Sequence, residues 1–119
     1  MKKVNIVKEK KDFDSAFKKR NQVVCKYAYI YINDNDLPRY RFGICVSKKV
    51  GNAVTRNKYK RRVKDIIDKS QLQFSSKDYI IVLRKSVTDS SFLELKEELV
   101  SALSKITEGK KNNNEEKNR

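Results

Sequence analysis

The spacing of apolar and polar residues in the first half of the chain predicts one helix and two strands. A short helix is expected over residues 12–20, because acids at its start and bases at its end suit the helix dipole. Branched and aromatic residues predict a strand over residues 22–32. Residues 33–36, with Pro38 soon after, favour a turn. A second strand over residues 39–47 is expected to pair back antiparallel on the first.

The second half predicts helix, strand and helix. Residues 53–69 contain no Gly or Pro. Four apolar side chains in this segment share one face at helical spacing: Tyr59, Val63, Ile66 and Ile67. Residues 78–84 are almost all apolar, which is typical of a strand buried on both faces. A last amphipathic helix, with cap candidates at residues 89–91, is expected to end at Gly109.

These elements together predict an α/β (α+β) two-layer sandwich. The order is helix, strand, strand, helix, strand, helix, and the strand over residues 78–84 should lie parallel to a neighbour across the helix before it. We expect a single domain over residues 1–107 and a polar, disordered tail over residues 108–119.

Charge narrows the class of partner. The chain has 29 Lys and Arg against 15 Asp and Glu, a formal net charge of +14. Such a domain favours an acidic polymer, and nucleic acid is preferred over a membrane surface. No apolar run approaches the roughly 18 residues of a membrane span, and the first residues lack the apolar core of a signal peptide, so we expect a cytoplasmic protein without a membrane partner.

The residue types present limit what chemistry the chain can perform. It has no histidine, which removes the commonest general base and the usual zinc ligand. Cys25 and Cys45 lie in apolar strand-like runs, which favours two buried free thiols. The acidic turn at residues 33–36 lacks the ligand spacing of a calcium loop, so a plain turn is preferred to a metal site.

The strongest local feature is a basic run. Between Lys48 and Lys64 there are eight Lys or Arg and no acid. A helical projection places five polar residues on one arc beside the apolar face: Arg56, Asn57, Lys60, Arg61 and Lys64. Lys58, Arg62 and Asp65 fall on the outer side. Arg binds phosphate through two nitrogens and stacks on bases, so the arc favours RNA contact over a merely solvated face.

Aromatic residues offer a second, weaker signal. Tyr27, Tyr29 and Tyr31 alternate along the first strand and would form either a base-stacking platform or part of the core. Phe13 and Phe17 are four residues apart on the first helix, where a hydrophobic pair docking that helix is the simpler interpretation.

Residues 42–61 resemble the signature of the bacterial ribonuclease P protein component, above all in the segment Gly-Asn-Ala-Val-x-Arg-Asn-x-x-Lys-Arg that starts at Gly51. The resemblance extends from the Asp-Phe-x-x-x-Phe motif at Asp12 to the last helix. It implies a ribosomal-protein-like fold with a left-handed βαβ crossover. It also implies the protein subunit of an endoribonuclease that matures the 5′ end of tRNA, with catalytic groups and Mg²⁺ on the RNA.

The resemblance further implies partners and site residues. The partners would be ribonuclease P RNA and precursor tRNA, and an oligomer of the holoenzyme is allowed. The expected RNA-binding set, including Lys48 from the basic run, is Lys48, Lys49, Arg56, Asn57, Lys60, Arg61 and Lys64. The expected cleft for the 5′ leader of precursor tRNA comprises Phe13, Phe17 and Tyr31. No catalytic residue and no metal ligand is assigned to this chain.

Two departures from the family pattern and two other functions stay open. Lys64 occupies a position that is usually Arg, which puts a bidentate contact in doubt. Arg20-Asn21 follows the first helix where a glycine is common, so the turn there is expected to differ. A structural RNA binder or RNA chaperone would share the charge and the fold. A protein-only nuclease using acids and metal is disfavoured because the acids form no second cluster.

Overall fold

The computed structural model describes the backbone of residues 1–115 and the side chains of residues 1–107. Within these residues the chain forms three α-helices and four strands. The helices are α1 (Lys10–Lys19), α2 (Ala53–Ser70) and α3 (Phe92–Glu115). The strands are β1 (Gln22–Val24), β2 (Ala28–Asp34), β3 (Arg41–Val46) and β4 (Lys77–Leu83). Short 3₁₀ turns occupy Lys3–Asn5 and Lys85–Asp89.

The four strands form one sheet in the order β1-β2-β4-β3. β2 is antiparallel to both β1 and β4, whereas β3 and β4 are parallel and are joined through α2. Helices α2 and α3 pack on one face of the sheet, which we call the inner face, and α1 packs on the opposite, outer face. The predicted α+β class and the parallel pair across the basic helix are confirmed.

The expected strand over residues 22–32 is wrong in one respect, because it is a hairpin of two strands. The backbone N–H of Cys25 donates to the Ala28 carbonyl at 2.9 Å, which closes a tight reversal with Lys26 and Tyr27 at its tip. Neither residue is a Gly, Asn or Pro, so the sequence contains no usual hairpin signal there. The reversal also removes Tyr27 from the alternation of the strand.

The expected antiparallel pairing of residues 39–47 with the first strand is also wrong. Among the four strands β3 pairs only with β4, in parallel register from Arg41–Asp78 to Val46–Leu83, and on its other side Phe42 forms an isolated parallel bridge with Ile6. β4 lies between β2 and β3 because its apolar residues on both faces can be covered fully only in the middle of the sheet. Ile80 and Ile81, which point to opposite faces, are both fully buried.

The main core lies between the inner face and the two long helices. It is completed by an aromatic group in which the Phe42 and Phe74 ring centroids lie 4.9 Å apart and those of Phe42 and Tyr79 lie 5.1 Å apart. Burying each such side chain stabilises the fold by about 1.5–3 kcal/mol. The face of α2 that carries Tyr59 and Val63 packs into this core, as the sequence predicted.

The last helix does not end at Gly109 as expected, because α3 continues to Glu115. A glycine inside a helix costs only about 1 kcal/mol relative to alanine and is therefore a weak terminator. Residues 116–119 and the side chains after Thr107 lie outside the described residues. The disordered tail over residues 108–119 stays a prediction.

Candidate nucleic-acid interface

The orientation of α2 is set by a cap at its N-terminus and by its apolar face. The Asn52 Oδ1 accepts a hydrogen bond from the backbone N–H of Thr55 at 2.9 Å. This bond satisfies a donor that the first helical turn otherwise leaves unpaired. All four residues predicted to face the core are buried: Tyr59, Val63, Ile66 and Ile67. Because this face is fixed, the basic arc can point only along the edge of the sheet.

We call this arc the basic ledge, and it comprises Arg56, Asn57, Lys60, Arg61 and Lys64. Asn57 and Arg61 are exposed, and the other three residues are half-buried. Within the described part of the chain no cation of the ledge forms an ion pair. Farther along the same helix, Lys69 does pair with Asp65 at 3.3 Å. The ledge therefore presents uncompensated positive charge.

Arg56 carries a donor that the fold leaves unsatisfied. Its Nε is shielded from solvent and has no hydrogen-bond partner among the described residues. A buried donor without a partner costs about 1–3 kcal/mol, and such groups in native proteins call for a structural or functional reason. No hydrogen bond to the Arg56 Nε from the described residues offsets this cost.

Lys48 and Lys49 extend the basic surface beyond the helix. Both are exposed in the turn between β3 and α2, where the Gly51 N–H donates to the Lys48 carbonyl at 3.2 Å. They precede the N-terminus of α2, which carries the positive end of the helix dipole and has no acid in its first turn. The two lysines and the helix end thus add positive potential next to the ledge.

Arg62 has a structural partner that the sequence did not reveal. Its guanidinium carbon lies 5.7 Å from the centroid of the Tyr59 ring and 5.9 Å from that of Phe92 on α3. Such cation–aromatic contacts contribute about 0.5–1 kcal/mol at exposed sites. Arg62 therefore joins α2 to α3, in contrast to the unpaired cations of the ledge.

The outer face of the sheet carries a row of residues that α1 covers. Strand register aligns Tyr31, Ile80 and Gly43, which we call the covered row. The Phe17 ring meets the Tyr31 ring edge-on, with centroids 5.0 Å apart and planes at 82°. Phe13 lies directly on Gly43, since an added Cβ would stand 2.6 Å from its Cε1. The structure thus brings the three predicted cleft residues together, and Phe13 and Phe17 also dock the helix.

A second row on the same face lies beyond this cover. Tyr29, Val82 and Cys45 align in register and are only half-buried; we call them the open row. Val24, the partner of Tyr29 on β1, is 53 % exposed. The open row and the adjoining edge of α1 form a half-buried, partly apolar surface, and we use the word cleft for this surface.

The three-tyrosine platform considered from the sequence is wrong. Tyr29 and Tyr31 share the outer face, but Tyr27 is only 3 % exposed and packs into the main core. The hairpin tip at Lys26 and Tyr27 breaks the alternation on which the platform depended. Two tyrosines, one in each row, are therefore all that this pattern contributes to the outer face.

The basic ledge and the cleft meet at β3. Burial raises the pKa of the Cys45 thiol, and the positive charge of Lys60 lowers it again in part. Helix α2, which carries Lys60, packs against β3, which carries Cys45, so the two surfaces adjoin at this edge strand. Cys25 and Cys45 are free, as expected, but both are half-buried and not fully buried.

A buried ion pair that sequence analysis missed holds α1 over the sheet. Arg41 donates to both carboxylate oxygens of Asp78, at 2.8 and 2.6 Å, and Asn35 donates to the same carboxylate at 2.8 Å. Arg41 also reaches Asp12 of α1 at 3.4 Å. Asp78 is only 2 % exposed, so its pairing is needed for its burial. In the sequence, the sign of this ion pair was that the carboxylate of Asp78 stands at the start of an apolar strand.

The turn at residues 33–36 also helps to hold α1 over the sheet. The Asn35 Oδ1 accepts from the Leu37 N–H at 3.1 Å, and Asn33 donates to Ser15 of α1 at 3.1 Å. Over the described residues there is no group of three or more carboxylate or thiol side chains placed to hold a metal ion. The same residues contain no helix that is both long enough and apolar enough to cross a membrane.

The fold and this surface define a class: a small α+β domain of the nucleic-acid-binding type, with a cationic helix beside a partly apolar sheet face. Comparison with known proteins narrows the class. The family model described as Ribonuclease P matches residues 1–107. The ribonuclease P protein components of Streptococcus thermophilus and Streptococcus gordonii are 38 % and 37 % identical, each over 87 % of this chain and over 93 % and 87 % of their own lengths.

Solved structures give the same result. A Staphylococcus aureus RNase P protein mutant with defective mRNA degradation activity aligns with a TM-score of 0.79 at 32 % identity, covering 86 % of this chain and 87 % of its own. The Thermotoga maritima RNase P protein aligns with a TM-score of 0.72 at 26 % identity, covering 80 % of this chain and 91 % of its own.

The chain therefore belongs to the bacterial ribonuclease P protein family. Membership makes it a protein component of the ribonuclease P ribonucleoprotein, an endoribonuclease of tRNA processing, with the RNA subunit as its partner. The resemblance seen in residues 42–61 is confirmed.

Proposed function

We propose that the basic ledge binds the RNA subunit of ribonuclease P, and that the cleft on the outer face binds the 5′ leader of precursor tRNA. The observation that carries the proposal is that the two surfaces adjoin at the edge strand β3. Helix α2, which carries the ledge, packs against β3, and β3 carries Cys45 of the open row. One surface can therefore hold structured RNA at the helix and a single strand at the sheet.

The ledge suits a phosphate backbone. Arg56 and Arg61 can each present two parallel N–H donors to a phosphate, whereas Lys60 and Lys64 act as point charges. Asn57 can bond to a phosphate or to a base edge. The buried Nε of Arg56 has no hydrogen-bond partner among the described residues, and in this proposal the outer guanidinium nitrogens bind a phosphate of the RNA.

The cleft suits a single strand. Phe17 and Tyr31 are half-buried and meet edge-on, and the half-buried Phe13 lies beside them on Gly43. Aromatic side chains of this kind bind bases with little sequence preference, at about 1–3 kcal/mol per stacked base. The half-buried side chains of the open row add apolar surface on which unpaired bases can pack.

In this proposal the chain positions RNA and the RNA performs hydrolysis. The sequence contains no histidine, and its described carboxylates are either in ion pairs or dispersed. Among the described residues no group of three or more carboxylate or thiol side chains is placed to hold a metal ion. The proposal therefore includes no protein ligand for Mg²⁺ and has the RNA hold the ion that supports cleavage. The contribution of the protein is then affinity and orientation of the precursor.

A reconstitution experiment tests the proposal. The purified full chain is mixed with ribonuclease P RNA and precursor tRNA at low Mg²⁺, and each component is also assayed alone. Faster cleavage at the mature 5′ end in the complete mixture is expected. Binding without stimulation would favour a structural RNA binder, and cleavage by the protein alone would indicate a protein nuclease.

A charge-matched pair of variants tests the ledge. Arg56→Ala/Arg61→Ala should weaken binding to the RNA subunit and lower the salt slope of log K by about 1.4–1.8, because each lost phosphate contact contributes about 0.7–0.9. Lys96→Ala/Lys105→Ala removes two exposed cations from α3 and serves as the control. Equal slopes for the two variants would remove the ledge from the interface.

A leader-length series tests the cleft. Phe17→Ala and Tyr31→Ala holoenzymes should lose affinity for precursor tRNA with a leader and should bind leaderless tRNA like the parent protein. Equal losses for both substrates would show that these residues act on the fold and not on the leader.

A further inference from the structure

An exposed aromatic ring lies at the junction of α2 and α3, on the side of α2 away from the basic ledge. Phe92 is the first residue of α3 and is 43 % exposed. The guanidinium carbon of Arg62 lies 5.9 Å from the centroid of this ring, and the buried Tyr59 ring contacts the same guanidinium. We call Arg62 and Phe92 the junction surface. It offers a planar cation beside a ring that is open to solvent.

The start of α3 is rigid without help from the exposed side of Phe92. The Ser91 N–H donates to Glu94 Oε1 at 2.9 Å, and the Glu94 N–H donates to Ser91 Oγ at 3.1 Å, which is a capping box around Phe92. Farther along the helix, Leu95 and Leu99 are fully buried in the main core. The ring is therefore presented on a backbone that is already fixed before a partner binds.

Positive charge continues from the ledge around α2 to the junction surface. At about 100° per residue, Arg61, Lys58 and Arg62 follow one another around the exposed side of the helix at steps of about 60° and 40°. Within the described residues neither Lys58 nor Arg62 forms an ion pair. Asp65 lies on the same side, and Lys69 pairs with it at 3.3 Å. The junction surface is thus the far end of the cationic surface that begins at the ledge.

We propose that the junction surface is a second contact for the RNA subunit, in which an unpaired base stacks on the Phe92 ring and the adjoining phosphate binds Arg62. The inference rests on the proposed function of the ledge. Aromatic rings accept the unpaired bases of structured RNA, and arginine adds a forked donor for phosphate. The RNA subunit would then contact α2 from both sides, through phosphates at the ledge and through a splayed base at the junction.

The position of the junction surface favours the RNA subunit over the leader. Helices α2 and α3 cover the inner face of the sheet, whereas the cleft proposed for the leader lies on the outer face. A strand bound in the cleft is therefore separated from Phe92 by the sheet and the main core. RNA bound along the ledge already lies on the helix that carries Arg62.

The test measures the affinity of the full chain for ribonuclease P RNA over a series of salt concentrations. Phe92→Ala should bind about fivefold more weakly, the lower end of the range for one lost base stack, with an unchanged salt slope because no cation is lost. Phe92→Tyr keeps a ring and should bind like the parent chain, whereas Phe92→Leu keeps only apolar bulk and should show most of the loss. Arg62→Gln should also lower the salt slope by about 0.7–0.9.

Matched controls come from the same helix. Leu93→Ala removes the neighbouring apolar side chain, which is 61 % exposed, and should leave the affinity unchanged. Lys105→Ala removes an exposed cation from α3 and should leave the salt slope unchanged.

Fluorescence gives a readout that a purely structural role of Phe92 would not change. The chain contains no tryptophan, so Phe92→Trp introduces a single indole at the junction. A stacked base quenches indole fluorescence, and addition of ribonuclease P RNA should therefore quench this variant. Ser101→Trp places an indole at an exposed position about half a turn around α3 and should not be quenched.

The outcomes separate this inference from the ledge proposal. If Arg56→Ala/Arg61→Ala weakens RNA binding and Phe92→Ala does not, the inference is wrong and the ledge proposal stands. If neither variant changes RNA binding, the ledge proposal fails as well. An unquenched Phe92→Trp, a Phe92→Leu variant that binds like the parent chain, or an equal loss in Leu93→Ala would also overturn the role of the junction surface.

Discussion

Replacing Gly43 by alanine should push helix α1 away from the sheet. An alanine Cβ at this position would stand 2.6 Å from Phe13 Cε1 and 2.9 Å from both Phe13 Cζ and Ile80 Cδ1. Carbon atoms in good contact are about 3.5–4.0 Å apart, so the Phe13 ring must move by about 1 Å or α1 must rise. The side chain of Ile80 is fully buried and leaves little room for relief.

The expected cost follows from this overlap. Overpacking by one methyl group in a tight core typically costs about 1–3 kcal/mol. The lower chain entropy of alanine in the unfolded state returns about 0.4–1 kcal/mol, so a net loss of about 1–2 kcal/mol remains. For a domain of this size the corresponding fall in Tm is about 4–10 °C. Because Phe13 borders the cleft, affinity for leader-bearing tRNA should fall as well.

A double-mutant cycle in urea unfolding identifies the cause. Phe13→Leu removes the two ring carbons that the new methyl group would meet, so Gly43→Ala should cost less in that background than in the parent chain. We expect a coupling free energy of about 1 kcal/mol between the two positions. Additive effects within about 0.5 kcal/mol would refute the contact between Phe13 and Gly43, as would an alanine variant as stable as the parent.

Two further predictions concern a turn and a thiol. Arg20 ends α1 with φ 57°, a left-handed conformation that suits glycine, so Arg20→Gly should raise the free energy of unfolding by about 0.5 kcal/mol in urea titrations. Arg20→Ala removes the same charge and should give no gain; equal gains would point to charge. Alkylation of Cys45 should titrate above the ordinary thiol range because burial raises its pKa, and Lys60→Ala should move the midpoint higher. The pKa of Cys45 is higher in the folded chain than in the unfolded chain. The contribution of this thiol to the free energy of unfolding is therefore present below the unfolded pKa and is lost as pH rises through the folded pKa. An alkylation midpoint at or below that of the unfolded chain would contradict this prediction.

Patterns among residues that are close in sequence predicted most helices and strands and the chemistry of the basic ledge. The helical period of Tyr59 and Val63 fixed which side of α2 is buried, and with it the direction of Arg56 and Arg61. The long apolar run of β4 indicated a strand covered on both faces, as observed. These inferences succeeded because burial of a helix or strand face depends on residues a few positions apart.

Features that depend on distant residues were not accessible in this way. The hairpin at Lys26 and Tyr27 lacks turn-forming residues and is imposed by the burial of Tyr27 in the core. β4 lies between β2 and β3 because it is the strand that needs cover on both faces. This requirement is relative to the other strands, so the sequence of one strand does not reveal it.

The basic run was visible in the sequence alone, because like charges at helical spacing are a local property. The cleft beside it was decided by tertiary structure. Tyr29 and Arg84 are 55 positions apart, and the register of β2 with β4 brings them together. Likewise only packing showed that Arg41 and Asp78 anchor α1 over the sheet, since an ion pair is buried only where the fold excludes water from both partners.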